Sequence, residues 1–355
     1  MTPERYSMTE ISAPSEKPSK LRAFFLEIRA PFLTASIVPV LLGTAIAWAT
    51  RGILLLDVFL LTLIAGVCLH IGANVSNDFF DHSAELSGSD DINVEFIRPF
   101  TGGSRMIQLG YLSPREVLAE SMIFFAIAGA IGVYLAMTRD LFILVLGVIG
   151  AGSGFFYTAP PFSFVKRGIG EVFIGLNFGV LMTFGAYYVQ ALDFVWEPVV
   201  ASVPIALLIA GVLYINEFAD FNADRDSGKR TIVVRIGRSK AAKGYTALIA
   251  TIFIWNPVFA ILNIIPFETL LVLTLLPLGY VGIRTTLRAF DNPNQLVPAN
   301  VATVLMHLLV GLYMTVGYIL PTFVQYTEHS ITLAVGFLML MIALYYFRKL
   351  TRPPG

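Results

Sequence analysis

Apolar residues run along this chain in long blocks broken by short polar stretches. A helix needs about 20 such residues to cross the ~30 Å hydrocarbon core of a bilayer. On that measure the pattern predicts spans at residues 30–49, 55–77, 117–137, 141–157, 169–190, 199–218, 242–264, 267–286, 298–320 and 331–347. The breaks at 138–140 and 265–267 leave room only for tight turns, so the helices on either side are expected to be antiparallel neighbours. Residues 1–28 depart from the pattern. They are polar, with Pro3, Pro14 and Pro18, and read as a disordered cytosolic tail rather than a signal peptide, because no short apolar core precedes a small-residue cleavage site.

Composition agrees with the pattern. The 355 residues are 56% hydrophobic, 13% aromatic and 14% charged, with a mean hydropathy of +0.74. A soluble domain carries about 25% charged residues, so this chain lacks a polar coat and is read as an all-α multi-spanning membrane protein. The single cysteine, Cys68, lies in an apolar run, which excludes an intrachain disulfide and a thiolate metal site. Zero net charge gives no reason to expect a nucleic-acid partner. The position of the charges is more telling. With the N-terminus in the cytosol, all of the 24 Lys and Arg except Arg51 and Arg139 fall on inner segments or their helix ends. Both termini and every long polar loop are therefore expected on the cytosolic side of a multi-pass protein of the cell membrane. The chain divides into the tail 1–28, a membrane domain 29–320, and an added C-terminal helix with a basic tail, 321–355.

Two polar clusters interrupt this economy of charge. "NVSNDFFDHSAE" ends the second span, with Asn74, Asn77, Asp78, Asp81 and Glu85; "YINEFADFNADRDSGKRT" ends the sixth, with Asn216, Asp220 and Asp224. In each, an asparagine precedes an aspartate by four residues, and spacings of three and four share a helical face. One such cluster is ordinarily just solvated. Two at equivalent span ends suggest similar halves feeding acids to a shared cavity. Oxygen donors without cysteine suit Mg²⁺, with Mn²⁺ as the alternative, and Mg²⁺ is usually shared with a substrate phosphate. Cations to receive a diphosphate follow: Arg98 and Arg105, then Lys166 and Arg167, then Lys229 and Arg230. Lys166 and Arg167, taken alone, read as topology anchors rather than ligands. Glu171 is suited either to function or to a helix N-terminus; His70 and His307 read as satisfied intramembrane side chains.

The motifs "NDFFDHSAE" and "NEFADFNADRDSGKRT" resemble the two aspartate-rich motifs of the UbiA superfamily of intramembrane prenyltransferases. "YTAPPFSFVKRGIGEVFIG" resembles the family's tyrosine-containing segment, and "RPFTGGSRMIQLG" the loop beyond the first motif. The latter, with "YTAPPF" and "GKRT", is most similar to the branch that prenylates 1,4-dihydroxy-2-naphthoate in menaquinone synthesis. Ala219 stands where that branch usually has Arg, and Glu85 where other members have a third aspartate, a role that Asp90 or Asp91 would take here. The resemblance implies a nine-helix bundle, to which 331–347 would add a tenth. It also implies a polyprenyl diphosphate donor held through Mg²⁺ by Asp78, Asp81, Asp220 and Asp224, with Glu85 or Asp90 as a further ligand. Asn74 and Asn216 would orient those ligands or complete the shell, and with Asn77 would contact the diphosphate. Arg98, Arg105, Lys166, Lys229 and Arg230 would take the diphosphate charge, and Tyr157 would face the allylic cation. A small aromatic acceptor then attacks; 4-hydroxybenzoate and geranylgeranylglyceryl phosphate are the alternative acceptors within the superfamily. A cation-coupled transporter is the competing class, disfavoured because its sites usually lie midway through interrupted helices.

Overall fold

The computed structural model describes residues 18–82, 91, 103–323, 341 and 345. Among these residues the secondary structure is helical throughout, without a strand. Helix α1 (Lys20–Glu27) and α2 (Thr34–Arg51) are joined by a left-handed residue, Arg29, and a 3-10 turn at Ala30–Leu33. Then come α3 (Leu56–His82), α4 (Pro114–Thr138), α5 (Phe142–Phe155), α6 (Gly170–Ala191) and α7 (Glu197–Asp226). The short α8 (Ile232–Ile236) precedes α9 (Arg238–Ile261), α10 (Phe267–Ala289) and α11 (Pro293–Phe323).

Eight of these, with α1 and α2 taken as one unit, are long and apolar enough to cross a membrane. The expected fourth span is shorter than its apolar run. α5 has 14 residues and ends at Phe155, after which the chain turns back through Tyr157. The expected span 331–347 lies outside the described residues apart from Met341 and Tyr345, as does the basic tail. Residues 20–27 correct the expectation of a disordered segment reaching residue 28. Ser19 accepts a hydrogen bond from the Arg22 amide as an N-cap. Ala23 is buried with Ile71, Val75 and Val117, so this turn of chain gains packing that its polar composition does not advertise.

One large core joins α2, α7, α9, α10 and α11 and fully buries Tyr245, Tyr313 and Tyr318. Two smaller clusters hold α3 to its neighbours: one with α1 and α4 around Val75 and Val117, the other with α4, α5 and α6 around Val58, Leu135 and Ile143. Large apolar side chains such as Met137, Val148, Ile254 and Ile261 are exposed on the outside. In a bilayer that surface meets lipid, the solvent for which it is suited.

The two basic residues outside the charge pattern have local duties. Arg51 pairs with Asp193 at 2.8 Å. Arg139 donates to the carbonyls of Val189 and Gln190 at 3.1 and 2.9 Å, supplying cationic donors to the C-terminal end of α6.

α6 is not a uniform helix. Residues Gly175–Leu181 form a π-helical stretch between two α-helical pieces. Gly179 lies so close to α7 that a Cβ there would overlap the backbone of Ala206. The wide turn and the close approach together aim Asn177 and Phe178 inward. Gly179→Ala is expected to force α6 off α7 and cost about 1–3 kcal/mol of stability, read as a lowered Tm of the detergent-solubilised protein.

Candidate active site

Small residues hollow the bundle. Ala65, Gly66 and Ala73 on α3, Gly132 on α4, and Gly147, Gly150 and Gly154 on α5 line a cavity of about 370 Å³ between α2 and α7. A Cβ added at Gly132 or Gly147 would meet nothing within 4 Å, so the space is real and its walls are thin there. Leu69, Leu135, Ile143, Leu146, Leu181 and Val189 make most of its length apolar. Its polar end lies where α3 and α7 finish.

That end gathers the two motifs. Asn74, Asn77 and Asp81 come from α3; Asn216, Asp220 and Asp224 from α7; Tyr157 comes from the turn after α5 and Lys229 from the turn after α7. Lys229 Nζ donates to Asp81 Oδ2 at 2.8 Å, and both side chains are more than nine-tenths buried. Asn300 on α11 donates to Asn216 Oδ1 at 2.6 Å, which turns the amide. Tyr157 packs its ring against Gly170, where a Cβ would stand 3.1 Å from it. The carboxyl groups of Glu217, Glu171, Asp81 and Asp224 are its electrostatic neighbours.

Other expected residues stand elsewhere. Asp78 is not in the lining but is bonded to a residue that is: it accepts from Arg29 at 3.2 Å and from the Ser104 amide at 2.7 Å, while the Ser104 hydroxyl bonds to Glu27. Its carboxylate therefore pins α1 and the 103–105 segment beneath the end of α3. Lys166 and Arg230 are exposed and outside the lining; the Arg230 amide donates to the Lys166 carbonyl. Arg105 has a left-handed φ of 68° and is also outside the lining. Glu171 accepts from the Ile232 amide at 2.8 Å, which makes it the carboxylate at the N-terminus of α8. Glu85, Asp90 and Arg98 lie outside the described residues.

Three lining residues were not assigned to the site from the sequence. Arg29 enters the wall because its left-handed turn swings it under α3. Glu217 is 3% exposed, beside the Glu171 carboxyl and the Val233 amide; it stands three residues before Asp220, a spacing that could have revealed it. His70, expected as a satisfied intramembrane side chain, is hydrogen-bonded to Ser36 and also lines the cavity one turn back from Asn74. His307 Nε2, by contrast, is buried without a hydrogen-bond partner.

Among the described residues no three His, Cys, Asp or Glu converge into a ready-made metal cage. The donors nonetheless suit a hard cation that completes its shell with phosphate and water. They are oxygen atoms throughout, and Asn77 Oδ1 is buried without a hydrogen bond.

An all-helical bundle with an apolar cavity capped by acids, amides and a lysine defines an intramembrane enzyme of the lipid-diphosphate type. Residues 36–302 match the UbiA prenyltransferase family, and the chain belongs to it. It is similar to the 2-carboxy-1,4-naphthoquinone phytyltransferase of Synechocystis sp., 28% identical over 88% of this chain and 98% of that relative. The 1,4-dihydroxy-2-naphthoate octaprenyltransferase of Escherichia coli is 27% identical over 85% and 96%. The apo structure of a UbiA homolog from Aeropyrum pernix K1 shares the fold, with a TM-score of 0.60 at 17% identity over 81% of this chain and 98% of that one. A UbiA homolog from Archaeoglobus fulgidus, bound to DMAPP and Mg²⁺, aligns with a TM-score of 0.51 at 14% identity over 92% of this chain and 98% of that one.

Removing one member of a buried ion pair strands the other charge, at a cost on the order of 3 kcal/mol. Lys229→Met is therefore expected to lower the unfolding midpoint more than the double variant Asp81→Asn/Lys229→Met, a non-additivity that thermal unfolding of the parent, the two single variants and the double variant would measure.

Proposed function

We propose that this protein transfers a polyprenyl group from its diphosphate to 1,4-dihydroxy-2-naphthoate, releasing diphosphate, at a site that opens to the cytosolic face of the cell membrane. The observation that carries this reading is the meeting of Asp81, Asp220, Asp224, Asn74, Asn216 and Lys229 at one end of a long apolar cavity. Hydrocarbon fits the cavity, and a diphosphate fits its mouth. The naphthoate-specific names of the relatives support the acceptor, and the near-complete confinement of Lys and Arg to one set of loops supports the sidedness.

Mg²⁺, with Mn²⁺ as the alternative, would be held by Asp81, Asp220 and Asp224 with Asn74, Asn77 and Asn216, and when bound it neutralises charge on diphosphate oxygens. Lys229 and Arg29 bring positive charge to the same mouth and stabilise the negative charge that grows as the allylic C–O bond breaks. The Tyr157 ring offers its π-face to the allylic cation, and the apolar wall beyond excludes the water that would otherwise trap that cation. The ring carbon of the acceptor then forms the new C–C bond; where that carbon bears the carboxyl group, carbon dioxide leaves and its bonding pair returns to the ring.

Purified protein given geranylgeranyl diphosphate, Mg²⁺ and dihydroxynaphthoate should release diphosphate and carbon dioxide in equal amounts, and EDTA should stop both. Release with hydroxybenzoate or geranylgeranylglyceryl phosphate instead would reassign the acceptor, while folded protein inactive with all three and with longer donors would overturn the reading. Asp220→Asn should lower kcat by about 10²-fold or more. Tyr157→Phe, which keeps the π-face, should stay near the parent rate, whereas Tyr157→Leu should lose roughly thirtyfold.

A further inference from the structure

His70 sits about 16 Å back along α3 from Asp81, at 1.5 Å per residue, one turn beyond Asn74 and with Arg29 and His307 as electrostatic neighbours. It is 4% exposed yet part of the lining. Its ring is fixed on two sides: Nδ1 bonds to the Ser36 hydroxyl of α2 at 2.5 Å, and the ring meets Phe178 edge-on at 4.6 Å. With Nδ1 committed to Ser36, Nε2 is the nitrogen left for a cavity ligand. Asn177 lines the same cavity from the π-helical stretch, its Oδ1 receiving the Ser153 hydroxyl at 2.8 Å. A polyprenyl tail has no use for either group, and placing polar groups at this depth costs free energy unless something binds them. The other reactant does carry hydroxyl groups.

We propose that His70 is a specificity-determining residue that hydrogen-bonds a ring hydroxyl of the aromatic acceptor through Nε2, held in register by Ser36. This rests on the prenyl-transfer reading above and assigns the acceptor's place within it. The chemistry suits a hydroxyl in particular. If Ser36 donates to Nδ1, then Nε2–H donates to the ligand oxygen; if Nδ1–H donates to Ser36, Nε2 accepts the ligand O–H. A hydroxyl satisfies both tautomers, whereas an ether or ketone oxygen satisfies only the first. The same hydrogen bond orients the ring so that its nucleophilic carbon faces the allylic carbon, which is set separately by the diphosphate at the mouth.

The test couples variants of the protein to variants of the acceptor. Steady-state turnover would be measured for the parent, His70→Phe, His70→Gln and Ser36→Ala with dihydroxynaphthoate and with its two mono-deoxy analogues. For one analogue, the parent should lose about tenfold in kcat/KM relative to the full acceptor, the size of one hydrogen bond. His70→Phe should show little preference between the two, and His70→Gln should recover part of it. The KM for the prenyl diphosphate should stay unchanged throughout, and Ser36→Ala should shift the acceptor KM in the same direction by a smaller factor. Equal losses for every acceptor in His70→Phe, or a rise in donor KM alone, would overturn the assignment while leaving prenyl transfer intact. Should His70→Phe fail to fold, an undiminished preference in Ser36→Ala and His70→Gln overturns it as well. A parent inactive with dihydroxynaphthoate removes the reading on which the assignment stands, and with it the assignment.

Discussion

Carboxylates at the edge of hydrocarbon must be compensated, and the pairing of Asp81 with Lys229 at 2.8 Å is the compensation on which this site depends. The two residues come from the ends of different halves of the chain, so the bond that neutralises the buried charge also ties α3 to the segment after α7. Asp78, three residues earlier, is answered differently. Arg29 and the Ser104 amide bind it and draw α1 under the same helix end. One motif thus serves two purposes: Asp81 faces the cavity, and Asp78 secures the floor beneath it.

The cavity owes its existence to what the helices lack. Alanine and glycine on α3, α4 and α5 leave space that larger side chains would fill, and α6 widens into a π-helix where it must pass close to α7. Packing is dense on the α9–α11 side, where the buried tyrosines lie. The densely packed half therefore stands beside a hollow one. Polar groups placed along the wall, from Asp81 through Asn74 to His70, grade it from charged to apolar along a single helix face.

Much of this was legible before any coordinates. The blocks of apolar residues marked nine helices that the described residues contain, because bilayer thickness imposes a length that sequence cannot hide. Asn74, Asp81, Asn216, Asp220 and Asp224 were expected from spacing to meet, since residues three and four apart on a helix share a face whatever surrounds it, and they line one cavity. Lys229 and Tyr157, expected from their motifs, line the same cavity. Spacing could not separate Asp78 from Asp81, for both lie within reach of the same end. Lys166 and Arg230, expected as diphosphate ligands for being basic and nearby, are exposed and outside the lining.

By itself, then, the sequence determined the class of protein, the helices, the pairing of two acidic motifs and the family, all properties written in local periodicity or short contiguous motifs. Only the tertiary structure decided which groups meet. Arg29, His70 and Glu217 belong to the cavity because a left-handed turn, a hydrogen bond from α2 and the crossing of α6 on α7 bring distant segments to one wall. Burial of a charge or an amide is a property of everything packed around it, and no stretch of chain carries that information alone.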